Sequence, residues 1–367
     1  RYRKLFLPFN TLATLAGLTP KGIDVFLTDD YVQEVDFDEH LDLVAVTAQT
    51  CQAPRAYRIG DEFRRRGVQT VIGGFHASAC PNEALRHFDA VVIGEAEPVW
   101  ETVLADARKG AMAGVYRANH PSDLTRPVIP RYDLVDFENY VKPPFARTPL
   151  IPIQTSRGCP YGCDFCAVSA ITGRRVRTKP LVNVLREIEA VDPSRIFFTD
   201  DNIAGDPVHA KELFEGIRHM RKRWACQMST TVLERPELIE LAAEAGCHET
   251  YVGIESLDKA NLASVHKGFN KVEEYGRLFK TFKEVGILAQ ASVMFGFDND
   301  TPDSLRRTVD QLLEWDINYL YVTILTPLPG TPFYDKMKSS GRIIDDNWAH
   351  YDCTRCVIEP VSMSCSQ

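Results

Sequence analysis

The sequence predicts an α/β protein in which a doubly wound parallel sheet is followed by a partial (β/α)6 barrel of the TIM type. Two observations support this fold class. Short apolar segments alternate with amphipathic helical segments along most of the 367 residues, and this rhythm is typical of parallel sheets. A proline-rich stretch at 108–148 interrupts the alternation, so the strand–helix units fall into two groups. We therefore expect two α/β domains joined by a linker.

The first group, residues 1–107, predicts the doubly wound sheet. Its candidate helices lie near Leu5–Leu18, Ala53–Arg66 and Glu97–Lys109, and its candidate strands are Asp24–Leu27, Leu43–Thr47, Thr70–Gly73 and Ala90–Ile93. Sheets of this kind bind ligands beyond the carboxyl ends of their strands. Small and polar residues occupy those ends at 47–50, 73–76 and 94–97, so we expect a ligand site along this edge.

Residues 108–148 are predicted to be the linker. Prolines at 121, 127, 130, 143 and 144 exclude a long helix, because proline has no backbone N–H to donate. Three aromatic residues, Tyr132, Phe137 and Tyr140, are spaced along the stretch. We expect them to anchor it across an interface.

The second group, residues 149–335, repeats strand then helix six times and predicts the partial barrel. The candidate strands are Leu150–Gln154, Arg195–Thr199, Cys226–Thr230, Thr250–Ile254, Ala289–Phe295 and Tyr319–Leu325. In such barrels the chemistry lies at the carboxyl ends of the strands. The segments that follow strands two to six are therefore the candidate site, and residues 336–367 are expected to form a C-terminal extension.

Composition excludes several classes of protein. Asp and Glu outnumber Lys and Arg by 50 to 42, so the net charge of −8 offers no electrostatic footprint for nucleic acid. No apolar run reaches the roughly 18 residues that a transmembrane segment needs, although an apolar pocket for a small molecule is compatible with the sequence. Ten cysteines without a secretory signal indicate a reducing cytoplasm and not a disulfide scaffold.

The strongest chemical signal is a loop with three cysteines, Cys159, Cys163 and Cys166, which follows the first barrel strand. Three thiolates this close can hold three irons of an iron–sulfur cube, or a zinc ion. A structural zinc site requires a fourth protein ligand, and no fourth cysteine is present in the loop. The histidines at 76, 87 and 209 are too scattered to nominate one. A cluster with one open iron is the favoured interpretation, and the alternatives are a zinc knuckle or three unrelated thiols.

The Cys-x3-Cys-x2-Cys spacing, with Phe165 directly before the last cysteine, resembles the signature of the radical S-adenosylmethionine (SAM) superfamily. The resemblance implies a 4Fe–4S cluster held by these cysteines, with SAM chelated to the open iron. One electron would then cleave SAM to a 5′-deoxyadenosyl radical. An electron donor such as flavodoxin or ferredoxin is implied as a partner.

The strand ends resemble the matching radical SAM segments in order, which implies a SAM site. Thr199 and Asp200, with their backbone carbonyls, would accept from the SAM ammonium, and Glu255 would accept from the ribose hydroxyls. The full implied set is Phe165, Arg177, Thr199, Asp200, Ser229, Glu255 and Gly296. The plainer alternatives are that Asp200 and its neighbour Asp201 cap the next helix, and that Glu255 is a surface carboxylate.

Three further members of this set complete the implied contacts. Ser229 and Arg177, or Arg175 nearby, would meet the SAM carboxylate, because a guanidinium fork matches a carboxylate. Gly296 would let the adenine lie against the backbone.

The edge of the first domain resembles the cobalamin-binding domain that precedes the barrel in one radical SAM subfamily. The implied corrinoid-binding residues are Thr47, Thr50, Gly73, Gly74, Phe75, His76, Gly94 and Glu95. The glycine pair would let the backbone approach a flat ring, although any such sheet can need glycines at its turns. The Asp-x-His-x-x-Gly element that ligates cobalt in some cobalamin proteins is absent, and the chain is expected to begin beyond the strand that precedes it. Neither Cys51 nor His76 is assigned as a cobalt ligand.

The resemblance implies an enzyme, most often a cobalamin-dependent methyltransferase that acts on an unactivated carbon of a small molecule. A corrinoid would then lie between the first domain and the SAM site. The alternatives are a cyclase, rearrangement or decarboxylation enzyme on the same scaffold, or a non-enzymatic iron–sulfur or zinc module. A second cysteine pattern, at 353, 356 and 365, could suggest an auxiliary metal site.

Overall fold

The computed structural model of the chain describes residues 7–112, 114–141, 150–191, 195–317 and 319–366. The chain divides into two compact units: Arg1–Pro152 with Glu189–Pro193 form the first, and Ile153–Ile188 with Ser194–Gln367 form the second. Parallel sheets and helices build the structure, so the predicted α/β class is confirmed. Pro143, Pro144 and the predicted helix start at Leu5 lie outside the described residues.

The first unit contains a four-stranded sheet. Its strands are β1 (Leu43–Thr47), β2 (Gln69–Gly73), β3 (Ala90–Ile93) and β4 (Val115–Arg117). They are ordered β1-β2-β3-β4, and all neighbours pair in parallel. The helices are α1 (Asn10–Leu18), α2 (Ala53–Arg65), α3 (Phe75–Ala79), α4 (Pro81–Ala84) and α5 (Trp100–Arg108). The register places Thr47 beside Gly73, so the carboxyl ends of β1 and β2 meet at one edge.

Helix α2 shows how the sequence produces this unit. Its apolar residues recur at helical spacing, so Ala56, Tyr57 and Phe63 are buried on one face while Arg64 and Arg65 stay exposed on the other. The buried face packs on the sheet. Burial of apolar surface stabilises such a contact by about 25 cal/mol per Å².

Three features of the first unit differ from expectation. Asp24–Leu27 was wrong as a strand, because the segment finds no ladder partner among the described residues and its Phe26 is 68% exposed. Strand β4 lies inside the predicted linker, where pairing with β3 outweighs the weak apolar signal of three residues. The described strands also follow sequence order, so the reversal that defines a doubly wound sheet is not seen among them.

The second unit contains the six predicted strands. They are β5 (Ile151–Ile153), β8 (Arg195–Phe198), β9 (Arg223–Met228), β10 (Cys247–Glu255), β11 (Leu288–Phe295) and β12 (Leu320–Ile324), while β6 (Ser156–Arg157) and β7 (Arg177–Thr178) form a separate antiparallel pair. The sheet order is β12-β11-β10-β9-β8-β5, and β8 to β12 pair in parallel. Neighbours in sequence are therefore neighbours in the sheet.

The helices of the second unit begin close to the strand ends. They are α6 (Ala167–Ile171), α7 (Leu181–Ala190), α8 (Pro207–Ile217), α9 (Pro236–Glu244), α10 (Lys259–Ser264), α11 (Tyr275–Glu284), α12 (Pro302–Glu314) and α13 (Pro332–Ser339). Asp206 caps α8, and Thr301 forms a capping box with Ser304 on α12. These caps fix the loops at the carboxyl edge of the sheet. Among the described residues, no helix is both long enough and apolar enough to cross a membrane.

The proline-rich segment packs on the first unit through its aromatic residues. The Tyr140 hydroxyl donates to Asp29 at 2.7 Å, and the Tyr132 hydroxyl donates to Asn10 at 3.0 Å. Phe137 lies against Tyr140, with ring centroids 6.3 Å apart. These contacts hold the segment to earlier residues of the same unit.

Candidate active site

Two aspartates that follow β8 hold the start of the cysteine loop. Asp200 is fully buried and accepts hydrogen bonds from Thr155 N at 3.0 Å, Thr155 Oγ1 at 2.7 Å and Ser156 Oγ at 2.5 Å. Asp201 accepts from Gly158 N at 2.8 Å. The end of β8 thus fixes the backbone from which the cysteine loop departs.

Later parts of the chain dock the middle of the same loop. Asp164 N donates to Val265 O at 3.0 Å, and Phe333 N donates to Asp164 O at 3.1 Å. The Asp164 carboxylate also lies 2.8 Å from His266 Nδ1. The loop is therefore held on two sides by backbone hydrogen bonds.

The three thiols of the loop lie in an environment largely closed to solvent. Cys163 is 7% exposed, and burial raises its pKa to about 11. Burial also raises the pKa of Cys159 and of Cys166. Lys267 opposes this rise in pKa at all three thiols, because its ammonium favours the thiolate. Iron would replace the thiol protons when a cluster binds, as metal binding to cysteine requires.

The spacing of the cysteines bears on the choice between zinc and a cluster. Among the described residues, the ligand atoms of His76, Cys80 and Glu83 lie within 4.8 Å of one another, and the three loop sulfurs form no such group. A zinc tetrahedron brings its sulfurs to about 4 Å from each other. Within the described residues, the three loop sulfurs are therefore not preassembled as part of a zinc tetrahedron.

Glu255 ends β10 in an unusual backbone conformation. Its φ is +61°, in the left-handed region that non-glycine residues rarely adopt, and the register of β10 against β11 shifts beside it. The side chain is 7% exposed, and Oε1 lies 2.7 Å from Lys267 Nζ. The second oxygen, Oε2, is buried and has no hydrogen-bond partner among the described residues. Such an oxygen is an acceptor available to a ligand hydroxyl.

Three other predicted SAM-binding residues also have structural roles. Thr199 N donates to Ile153 O at 2.8 Å and joins β8 to β5. Ser229 caps the 3-10 turn at 230–234. Arg177 lies in the short strand β7. Their contacts with SAM stay predictions.

Gly296 leaves open space at the end of β11. Its φ is +103°, and a Cβ there would meet nothing nearer than Ile324 at 3.8 Å. Its N–H and that of Phe297 donate to Asp300 at 2.8 and 3.0 Å, and Asp300 also accepts from Asn261 at 2.8 Å. Sequence analysis missed Asp300 and Asn261. The available signal was an aspartate four residues after a glycine at a strand end.

At the edge of the first unit, Gly74 is required by the protein itself. Its φ is +91°, and a Cβ would lie 2.7 Å from Thr47 Oγ1 and 3.0 Å from Ala48 N. Gly73 differs, because its Cβ would make an ordinary contact with Val92 at 3.7 Å. The backbone conformation and these close contacts therefore explain why residue 74 is a glycine, without any ligand.

Two features of the same edge leave room for a ligand. Gly94 has φ +81°, and a Cβ there would meet no atom within 4 Å. Thr50 is 2% exposed, and its hydroxyl has no hydrogen-bond partner among the described residues. An open position at Gly94 and an unsatisfied buried hydroxyl at Thr50, both at this edge, suit a ligand with polar substituents.

The remaining residues predicted to bind a corrinoid have their contacts inside the first unit. His76 is fully buried, and its Nε2 lies 3.0 Å from Tyr57 Oη. Burial lowers the pKa of His76. Glu95 accepts from Ser122 N at 2.7 Å. Phe75 is the first residue of α3 and is half-buried.

The cysteines of the C-terminal extension separate into a pair and a third. Cys356 Sγ lies 2.8 Å from Cys365 Sγ, whereas Cys353 hydrogen-bonds Thr326. The auxiliary metal site suggested by their pattern is not assembled within the described part of the extension.

Comparison with known proteins gives the family. The sequence model of the radical SAM superfamily matches residues 153–312. Bacteriochlorophyllide d C-12(1)-methyltransferase of Chlorobaculum tepidum is 34% identical over 365 residues, which cover 96% of this chain and 78% of that protein. The chain belongs to the radical SAM superfamily. Its predicted likeness to radical SAM methyltransferases is confirmed, as is the prediction that it is an enzyme.

Solved radical SAM structures share the fold. The structure of the radical S-adenosylmethionine methyltransferase TsrM from Kitasatospora setae, with cobalamin and a 4Fe–4S cluster bound, has a TM-score of 0.73 and 22% identity, covering 91% of this chain and 72% of that one. The cobalamin-dependent enzyme OxsB, with aqua-cobalamin and SAM bound, has a TM-score of 0.73 and 15% identity. That match covers 97% of this chain and 62% of OxsB. At these identities the likeness shows the fold.

The radical SAM assignment agrees with the chemistry of the donors in this chain. The superfamily uses a 4Fe–4S cluster and SAM, which confirms the prediction of these two cofactors. Three buried or half-buried thiols could supply sulfur ligands, and Glu255 Oε2 is an unsatisfied acceptor. The residues present therefore fit both groups.

Proposed function

We propose that the chain is a cobalamin-dependent radical SAM methyltransferase that acts on an unactivated carbon. The observation that carries the proposal is the unsatisfied, buried Oε2 of Glu255, whose partner Lys267 connects it to the cysteine loop. This arrangement supports binding of SAM beside a cluster. The methyltransferase activity of the relative from Chlorobaculum tepidum supports methyl transfer.

The residues of the second unit have distinct roles in this proposal. Cys159, Cys163 and Cys166 hold the cluster, which when bound and reduced supplies the electron that cleaves SAM. Glu255 accepts hydrogen bonds from the ribose hydroxyls through Oε2. Gly296 leaves its backbone open to the adenine.

The polar ends of SAM would be met by other members of the predicted set. Ser229, which follows β9, and Arg177, in β7, would bind the carboxylate, and Thr199, which follows β8, would accept from the ammonium. Asp200 has both carboxylate oxygens engaged by Thr155 and Ser156. We therefore propose that Asp200 positions the cysteine loop, and that it affects the SAM site through that loop.

The first unit would bind the corrinoid at the carboxyl edge of its sheet. A methylase needs a carrier for the methyl group, and a corrinoid supplies that chemistry. The open surface at Gly94 and the unsatisfied hydroxyl of Thr50 support this assignment. TsrM and OxsB, which share the fold, have cobalamin bound in their structures. We also propose that residues 1–107 form a cobalamin-binding domain and that residues 149–335 form a partial barrel.

The proposed partners are a small apolar substrate and a low-potential electron donor such as flavodoxin or ferredoxin. The named substrate of the relative, a bacteriochlorophyllide, makes an apolar macrocycle a suitable first candidate. A reducing compartment, the cytoplasm, suits thiols that must stay free to bind iron.

Anaerobic reconstitution tests the function directly. The protein is supplied with iron, sulfide, SAM, a reductant, hydroxocobalamin and candidate macrocycles, and products are read by mass spectrometry. We expect 5′-deoxyadenosine together with a product heavier by one methyl group. SAM cleavage without bound corrinoid would instead favour a cyclase, rearrangement or decarboxylation enzyme. Absence of SAM cleavage in protein with full iron content would contradict the proposal.

A further inference from the structure

We propose that Lys267 is a positioning residue that both fixes Glu255 for SAM and stabilises the reduced state of the cluster through its charge. The inference rests on the proposed function, because it assigns the cluster to the cysteine loop. It concerns the segment 265–270, which follows α10 and which the sequence analysis did not single out.

One side of segment 265–270 contacts the cysteine loop. Val265 O accepts from Asp164 N at 3.0 Å. The ring of Phe269 stacks on Tyr161, with centroids 3.8 Å apart. Lys267 Nζ lies 5.9 Å from the centroid of Phe165, the residue before Cys166. The segment therefore contacts the loop at three places between the first and last cysteines.

The other side of the segment contacts the end of β10. Lys267 Nζ donates to Glu255 Oε1 at 2.7 Å. Asn270 Nδ2 donates to Gly253 O at 3.0 Å and to Ile254 O at 3.1 Å. These bonds hold the backbone where Glu255 adopts its left-handed conformation. One short segment thus connects the cysteine loop to the carboxylate proposed to bind ribose.

Burial distinguishes this ion pair from the neighbouring pair of Lys271 and Glu234. The side chains of Lys267 and Glu255 are 12% and 7% exposed, whereas those of Lys271 and Glu234 are 50% and 59% exposed. A buried pair recovers its desolvation cost only when its remaining polar atoms are also satisfied. Glu255 Oε2 is not satisfied among the described residues. A pair kept only for stability would not leave that oxygen open.

The charge of Lys267 lies close to the cysteine loop. Its ammonium is 5.9 Å from the ring centroid of Phe165, the residue before Cys166, and its side chain is 12% exposed. Reduction adds one negative charge to a cluster, and that electron comes from the low-potential donor, which is oxidised by one electron. A buried cation on this side favours the reduced state, as charges near a metal site generally tune its potential.

The test compares Lys267→Met and Lys267→Arg with Lys271→Met, a matched change at an exposed lysine. Each protein is reconstituted anaerobically, its iron and sulfide are counted, and the cluster is titrated by electron paramagnetic resonance without SAM, corrinoid or substrate. For Lys267→Met we expect the ratio of reduced to oxidised cluster at a fixed potential to fall about tenfold, which is about 59 mV for a one-electron couple. SAM should also bind about tenfold more weakly. Lys267→Arg should restore both, and Lys271→Met should match the wild type.

An unchanged potential in Lys267→Met protein with full iron content would overturn the proposal. If that variant fails to hold the cluster, the double variant Lys267→Met/Glu255→Met is measured instead. It removes both buried charges, so neither is left without its partner. A wild-type potential in the double variant would likewise overturn the proposal, and a lowered one supports it. The titration contains no corrinoid and no substrate. Its result therefore does not depend on whether the protein transfers a methyl group.

Discussion

The carboxylate of Asp200 binds both the backbone N–H and the hydroxyl of Thr155, at 3.0 and 2.7 Å. Both residues are fully buried, and His209 Nε2 lies 3.1 Å from the same hydroxyl. Burial raises the pKa of Asp200, while the hydrogen bonds from Ser156 and Thr155 oppose that rise. The end of β8 and the start of the cysteine loop are thereby joined in a polar network closed to solvent.

We expect Asp200→Asn to lower the free energy of unfolding of the cluster-free protein by about 1–3 kcal/mol, because one amide oxygen replaces two acceptors and an NH2 group faces buried donors. Urea unfolding measures the change. The matched control is Asp303→Asn, whose side chain is 77% exposed and which should unfold like the wild type. Equal stability of the two variants would show that the network contributes little.

Changing Cys159, Cys163 or Cys166 to alanine is expected to remove both the cluster and SAM cleavage, since three thiolates are the minimum that leaves one iron open. Iron, sulfide and 5′-deoxyadenosine are measured together. Cys226→Ala and Cys247→Ala are the controls, because these buried cysteines lie in β9 and β10. A Cys163→Ala protein with full iron content and full SAM cleavage is the result that would sink the cluster assignment.

Glu255→Gln is expected to weaken SAM binding while iron content stays unchanged. An amide group in place of Oε2 would face the ribose hydroxyls with a donor, which costs about 1–3 kcal/mol, or roughly 5- to 150-fold in affinity. Equilibrium dialysis with the reconstituted protein measures the change. Glu234→Gln, at an exposed carboxylate in the same unit, is the control. Undiminished affinity in Glu255→Gln would remove this residue from the SAM site.

The corrinoid assignment is tested by Gly94→Asn. Asparagine tolerates the left-handed backbone, and the side chain would enter the open space that the corrinoid is proposed to fill. We expect loss of corrinoid absorbance with SAM cleavage retained and methylation lost. Gly67→Asn is the matched control, because Gly67 also has φ +81° and a Cβ added there would meet no atom within 4 Å. Full corrinoid binding by Gly94→Asn would place the corrinoid elsewhere.

His76 gives a prediction for the effect of pH on stability. Burial lowers the pKa of His76 below the unfolded value of about 6.5. As pH falls below that value, the unfolded chain takes up a proton that the folded protein does not, so the free energy of unfolding decreases. His76→Gln should therefore lose less stability than the wild type between about pH 7.5 and about pH 5.5. Thermal unfolding at both pH values measures this, with His120→Gln, at an exposed histidine, as the control. An identical pH dependence in His76→Gln and the wild type would contradict it.

Strands with a clear apolar run were predictable from the sequence. The predicted bounds of Leu43–Thr47 and Ala90–Ile93 match β1 and β3, and all six strands of the second sheet form. Asp24–Leu27 has the same local signal but lacks a ladder partner among the described residues. Strand β4 has a weak signal and forms because β3 pairs with it. Pairing depends on distant parts of the chain, which local propensity does not include.

The sequence could indicate which residues belong to the candidate site, but not which side chains those residues contact. The cysteine spacing alone indicated the loop that we propose holds the cluster, and the strand ends indicated Glu255 and Gly296 as candidates. Nothing local indicated that Lys267 lies 2.7 Å from Glu255, because a lysine in a loop is most often solvated. Asp200 shows the reverse case, in which a residue expected to bind a ligand has its oxygens engaged by the protein.

The hydrogen bond from Phe333 N to Asp164 O has a consequence for biosynthesis. It joins the cysteine loop to the start of α13, and these two segments lie at opposite ends of the second unit's sequence. A ribosome releases the cysteines long before it releases Phe333, and non-local contacts of this kind close late in folding. The nascent chain thus exposes three thiols with their docking partners still missing. We therefore expect the cysteine loop to reach its final conformation only after Phe333 has left the ribosome.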